Sequence, residues 1–182
     1  MIIPSEYSFS AQDWIKEHLH DGVHLDPECL QALQNFTLMW NLFESLLCEN
    51  FAKISAFEEI VTRHEFKEPS ASLVNSFSYF RSRYVYNENF TALFEGLRFR
   101  RNDRQEVVEK ALKSESPSPS EIALATMLII YRLRNNLFHG LKSVSSLNNQ
   151  TDNLNVAAQS LAAIIELHGH PALTRSNHAA SR

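Results

Sequence analysis

The stretch Ser120-Glu121-Ile122-Ala123-Leu124-Ala125-Thr126-Met127-Leu128-Ile129-Ile130-Tyr131 decides the fold. It is apolar nearly all round rather than along one stripe, the pattern of a helix buried on most sides. It is shorter than the ~20 apolar residues that cross a bilayer, so its surroundings should be other helices and no membrane role is expected. Continued through the polar residues that follow, it predicts a central helix near 120–139.

Working outward, the rest of the chain supplies packing partners of the same kind. Asp26-Pro27-Glu28 reads as a helix start, with the Asp26 carboxylate accepting from free amides and Pro27 at the first helical position. Leu30, Leu33, Phe36, Thr37, Trp40, Phe43 and Leu47 then recur every three or four residues, predicting a long core helix near 26–49. A second apolar segment spans 51–64, with Pro69 marking the connection onwards. From Ser70, Leu73, Phe77, Phe80 and Tyr84 share a helical face, and Asn87 is expected to cap a helix carrying Phe90, Leu93, Phe94 and Leu97. A polar helix should end near Lys113, and 114–120, with Pro117 and Pro119, reads as a loop. Thr151 or Asp152 caps a final helix whose Val156, Leu161, Ile164, Ile165 and Leu167 can close the core. The expectation is an all-α protein, a single helical bundle over 26–168. Residues 1–25 form a peripheral segment with a short helix capped near Ser10, 98–120 an insertion or excursion, and 169–182 a mobile tail.

Composition agrees and narrows the function. The 182 residues suffice for one core, 44% are hydrophobic and 21% charged, and four glycines with six prolines leave little for turn-rich sheet. A formal net charge of −4 argues against coating nucleic acid by bulk charge, while leaving a local basic groove open. The densest basic run, 98–104, holds Arg98, Arg100, Arg101 and Arg104 around Phe99. It is either a solvated loop face or a guide for an RNA backbone, with Phe99 stacking on a base and Arg132 assisting. Arg81 and Arg83 are lesser candidates. Cys29 and Cys48 lie ~28 Å apart along one helix, beyond disulfide reach, and read as reduced core thiols. His18, His20 and His24 flank a turn without convincing ligand spacing, so neither metal nor other cofactor is expected. The run Met1 to Ser10, interrupted by Pro4, Ser5 and Glu6, does not read as a secretion signal, and a cytoplasmic location is expected.

The chemistry sits where the central helix turns polar, at Tyr131-Arg132-Leu133-Arg134-Asn135-Asn136-Leu137-Phe138-His139-Gly140. Two arginines, two asparagines and a histidine must meet partners or face a cleft or subunit interface, because unpaired burial costs several kcal/mol together. At 100° per residue Asn135 and His139 lie close on the helix, with Arg134 beside Asn135. A histidine with a reference pKa near ~6.5 suits proton transfer at neutral pH. Arg134, about 140° from His139 around the helix, flanks the other side of one broad arc, and its guanidinium can hold phosphate oxygens and stabilise a pentacoordinate phosphorane. Arg plus His therefore suffice for cleavage of RNA by attack of a ribose 2′-OH on the adjacent phosphate.

This segment resembles the signature of the HEPN family, an Arg followed by a polar residue, most often Asn, and then a His after four to six intervening positions. Arg134, Asn135 and His139 match it. The helix bearing Trp40, Phe43 and Glu44 also resembles the aromatic and acidic first core helix of many members. The resemblance implies a helical bundle that dimerises, pairing two motifs into a composite, metal-independent endoribonuclease site. It implies Arg134 on the scissile phosphate, His139 in proton transfer and Asn135 orienting both. It further implies a toxin or anti-phage effector restrained by an antitoxin or regulatory partner. Glu44 is expected to be a structural partner of Arg134 or Arg132. The alternative is a non-catalytic interaction or nucleotide-binding module in which the same Arg/His cluster is structural.

Overall fold

Ser118, Pro119 and Glu121 set where the central helix begins. A computed structural model describes residues 9–18, 24–63, 70–138 and 146–169. In it the Ser118 hydroxyl accepts from the Glu121 N–H at 3.3 Å while the Glu121 carboxylate accepts from the Ser118 N–H at 2.9 Å. This reciprocal box, with Pro119 at the first helical position, starts the helix two residues into what the sequence suggested was loop.

Among the described residues the fold is all-α apart from one two-residue hairpin. In chain order the helices are α1 (Ala11–His18), α2 (Pro27–Leu47), α3 (Ile54–Arg63), α4 (Ala71–Tyr84), α5 (Ala92–Glu95), α6 (Gln105–Lys113), α7 (Pro119–Phe138) and α8 (Thr151–His168). The hairpin strands β1 (Val85–Tyr86) and β2 (Asn89–Phe90) pair antiparallel between α4 and α5, Val85 opposite Phe90. Here the structure corrects the sequence reading. Asn87 does not cap a helix; with Glu88 it forms the hairpin turn, at φ 45° and 62°, the left-handed pair that a two-residue turn needs. The helix that follows is a single turn, and Phe90 lies on β2 before it.

The buried face of α2 is Cys29, Ala32, Phe36, Trp40 and Phe43, spaced three and four apart, while Thr37 of the expected face points to solvent and bonds the Leu33 carbonyl. Pro27 stands where expected, but the Asp26 side chain makes no cap bond. The Asp26 N–H instead donates to Asn148 Oδ1 at 3.1 Å, and Asn148 Nδ2 donates to the His24 carbonyl at 3.0 Å. This staple joins the start of α2 to the 3₁₀ turn (Asn148–Gln150) before α8, and α2 then packs along α8. Ser70 does cap α4, its hydroxyl accepting from the Leu73 N–H, and Leu73, Phe77, Phe80 and Tyr84 are buried as the periodicity predicts.

Helix α7 is the hub, in contact with α3, α4, α6 and α8. Ile122, Ala123, Ala125 and the run from Met127 to Ile130 are all buried, and Leu124 and Tyr131 are half-buried, so this stretch is covered on most sides. The segment 98–120 is not peripheral to this core, since α6 lays Val108, Ala111 and Leu112, all buried, against α7. Helix α1 contributes no buried residue. The expected mobile tail, apart from Gly169, lies outside the described residues, as do His20 and His139.

Candidate functional site

The polar end of α7 divides into two faces, because Arg132 and Arg134 are two residues and about 200° apart around the helix. They do different things.

Arg132 faces inward and is 1% exposed. Its Nε donates to the Leu97 carbonyl at 3.1 Å and its Nη2 to the Arg98 carbonyl at 2.7 Å. Its Nη1 lies 2.9 Å from Asp103 Oδ2, an ion pair whose side chains are 2% and 10% exposed. Burial lowers the Arg132 pKa and the Asp103 carboxylate opposes that shift. One turn on, Asn136 is equally buried and donates from Nδ2 to the carbonyls of Gly96 and Leu97, both at 3.1 Å. Together Arg132 and Asn136 hold the chain that leaves α5, and Arg132 is therefore not the RNA-facing residue the sequence suggested. A solvent-facing role fails because every part of its guanidinium is turned to the α5 to α6 connection.

Arg134 faces α2 and has a different environment. Its guanidinium carbon lies 5.7 Å from the Trp40 ring centroid and 5.2 Å from that of Phe138. Its Nη1 donates to Asn135 Oδ1 at 3.3 Å, and its Nε is buried without a hydrogen-bond partner among the described residues. Among those residues no carboxylate pairs with it. Aromatic faces favour a cation without neutralising it, so Arg134 keeps its charge available for an anion. Asn135 is 5% exposed and steadies the guanidinium from the adjacent position.

Glu44, expected beside one of these arginines, makes other bonds. Its Oε2 accepts from the Trp40 indole N–H at 3.1 Å and its Oε1 from the Ala52 N–H at 3.0 Å. It is a structural residue of another kind: it fixes the ring on which Arg134 rests and closes the turn after α2. Both carboxylate oxygens accept from N–H groups, and Glu44 makes no ion pair with Arg134. The Trp40 ring is held further by Phe43 at 5.7 Å and Tyr131 at 6.3 Å.

The chain matches no known protein family, no curated protein and no solved structure. Among the described residues no cluster of three or more His, Cys, Asp or Glu side chains is placed to hold a metal ion. No helix there is long and apolar enough to cross a membrane.

The arginine-rich stretch 98–104 lies beyond the Arg132 face. Arg98, Arg100 and Arg101 are exposed, and none of them pairs with a described carboxylate. Arg104 is also exposed but is engaged by Glu58 at 2.8 Å and Glu106 at 3.7 Å, so its charge is partly answered. Phe99, expected to stack on a base, is half-buried and packs its ring 5.6 Å from that of Phe94. Arg81 is likewise occupied, donating to the carbonyls of Leu112 and Ser114 at the end of α6. Sequence reasoning missed Asp103, and the only local signal for it is an acidic residue within an arginine run.

Proposed function

We propose that the protein is a metal-independent endoribonuclease of the HEPN type, with Arg134, Asn135 and His139 as its catalytic residues. One observation carries the reading: Arg134 is a half-buried, permanently charged guanidinium held between Trp40 and Phe138, with no carboxylate among the described residues to neutralise it. An arginine so placed stabilises charge that arrives with a ligand, and phosphate in its pentacoordinate state carries the most. His139 follows Phe138, the last residue of α7, and supplies the proton transfers. The 2′-OH loses its proton as it attacks the adjacent phosphorus, and the departing 5′ oxygen gains one. The products are a 2′,3′-cyclic phosphate and a 5′-hydroxyl end.

Two copies of the motif meet in a homodimer, and the setting is a cytoplasmic toxin or anti-phage effector restrained by a separate antitoxin or regulatory chain. The test is cleavage of a mixed RNA pool in EDTA by the wild type, Arg134→Ala and His139→Ala, with analysis of the ends. Cleavage by the wild type alone, leaving cyclic phosphates, is the expected result. A folded wild type that cleaves nothing with or without divalent metal would move the reading to a nucleotide-binding module.

A further inference from the structure

The connection from α5 to α6 is an unusual way to build a loop. It places four arginines in seven residues, where their charges repel. Within it the stretch 98–104 begins and ends on left-handed residues that are not glycine, Arg98 at φ 52° and Arg104 at φ 57°, a conformation that a β-carbon disfavours. Yet its shape is fixed from beneath by several bonds. Asp103, 7% exposed, accepts from the Arg100 N–H at 2.7 Å and pairs with buried Arg132 at 2.9 Å, while the Arg98 carbonyl accepts from Arg132 at 2.7 Å. Phe99 turns in against Phe94, and Arg98, Arg100 and Arg101 are left outward, exposed and without an acidic partner among the described residues.

A loop that only linked two helices would gain nothing from repulsion and backbone strain together. Both are tolerable where a polyanion lies across the outward arginines. We propose that 98–104 is a preformed phosphate grip for an RNA strand, with Arg98, Arg100 and Arg101 touching the phosphates and Asp103 as the positioning residue that holds them in register. It is separate from the catalytic face, because Arg132, which anchors the loop, points about 200° away from Arg134 around α7. This proposal rests on the reading that the ligand is RNA, and it is tested by binding alone.

The probe is a fluorescein-labelled single-stranded 2′-O-methyl RNA of about twenty nucleotides, which lacks the attacking hydroxyl and is bound without cleavage, titrated at several salt concentrations. Arg100→Ala/Arg101→Ala, at exposed positions, should weaken binding about tenfold and flatten the log–log salt dependence by about 0.7 for each phosphate that is no longer neutralised. Asp103→Asn removes a negative charge, so a merely basic surface would bind RNA more tightly. The positioning role requires the opposite, weaker binding by several fold. Asp103→Glu, which keeps the charge and displaces it by one methylene, carries the same expectation and replaces Asp103→Asn if that variant does not fold by circular dichroism. Wild type that does not bind, or a double variant that binds as wild type does, overturns the grip; Asp103 variants that bind as well or better overturn the positioning role. Sodium polyglutamate or phosphatidylserine vesicles that compete at lower charge concentration than RNA would overturn the choice of ligand. RNA cleavage by the wild type with probe binding unchanged in Arg100→Ala/Arg101→Ala would overturn the grip alone, and probe binding lost in that variant with no RNA cleavage by the wild type would overturn the ribonuclease reading alone.

Discussion

At the scale of single residues, the same side chain two positions apart performs two tasks, and the difference is in what answers its charge. Arg132 has buried acceptors on several sides, and removing it leaves Asp103 buried without its counter-ion. Breaking a buried pair from one side costs about 3–5 kcal/mol. Arg134 has one 3.3 Å bond and two aromatic neighbours, together on the order of 1–2 kcal/mol. Urea unfolding of Arg132→Met and Arg134→Met should therefore show the larger loss in the first; equal losses would contradict the division of faces. The pattern of RNA cleavage should be reversed in emphasis, with Arg134→Met folded and inactive. The sequence favours Arg134 for a local reason, the Asn that follows it, but it cannot show that Arg132 is spoken for. The acceptors of Arg132 at Leu97 and Arg98 are 35 and 34 residues away, a separation no helical periodicity reports. Cys48 adds a second residue-scale test. Burial, with the Glu44 carboxylate adding to it, pushes its thiol up to about 12, so at pH 8 it is protonated and shielded. A thiol reagent should label it in the native protein only as fast as the chain opens, and rapid labelling of Cys48 would place it at the surface.

At the scale of elements, most boundaries are legible because they are written locally. The spacing of Leu73, Phe77, Phe80 and Tyr84 defines α4 without reference to the rest of the molecule, and the Asp-Pro pair fixes the start of α2 even though its cap bond goes unmade. Asn87 misleads because asparagine suits both a helix N-cap and a left-handed turn, and the choice lies with the strands on either side. The start of α7 depends on the box between Ser118 and Glu121, and that box titrates. Hydrogen bonding from Lys110, then from the Ser118 N–H and hydroxyl, holds the Glu121 carboxyl down at about 2, against an ordinary value of 4.5. A depressed carboxyl stabilises the fold fully above the unfolded value and loses that contribution as pH falls from about 4.5 towards 2. Glu121→Gln should therefore be less stable than wild type at pH 7, with the gap closing through that window when unfolding is followed in urea. Ser118→Ala should cost about 1 kcal/mol at neutral pH. A gap between Glu121→Gln and wild type that is the same at pH 2 and pH 7 would mean the carboxylate charge is irrelevant to the cap.

At the scale of the whole molecule, the question is why the arginine proposed as catalytic sits half-covered at the end of a buried helix rather than in a deep cleft. One protomer brings Arg134 and Asn135 together on α7 and rests the guanidinium on Trp40, but aromatic rings cannot complete a phosphate site. In the proposed mechanism the remaining donors and the second proton-transfer group come from elsewhere, and a two-fold partner would supply an identical set without any new sequence. That arrangement ties activity to concentration. If the proposed site is composite, cleavage per protomer should be constant while the protein is dimeric and fall in proportion to the dimer fraction on dilution, with sedimentation velocity giving that fraction at each concentration. Binding of the 2′-O-methyl probe to the 98–104 loop should not follow the same curve, because that loop is assembled within one chain by Asp103 and Arg132. Dilution should thus separate the proposed site on α7 from the proposed grip on 98–104, extinguishing cleavage while RNA binding persists. Specific activity that stays level through dissociation would show instead that a single Arg134 and His139 are enough, and the geometry around Trp40 would then have to be complete within one protomer.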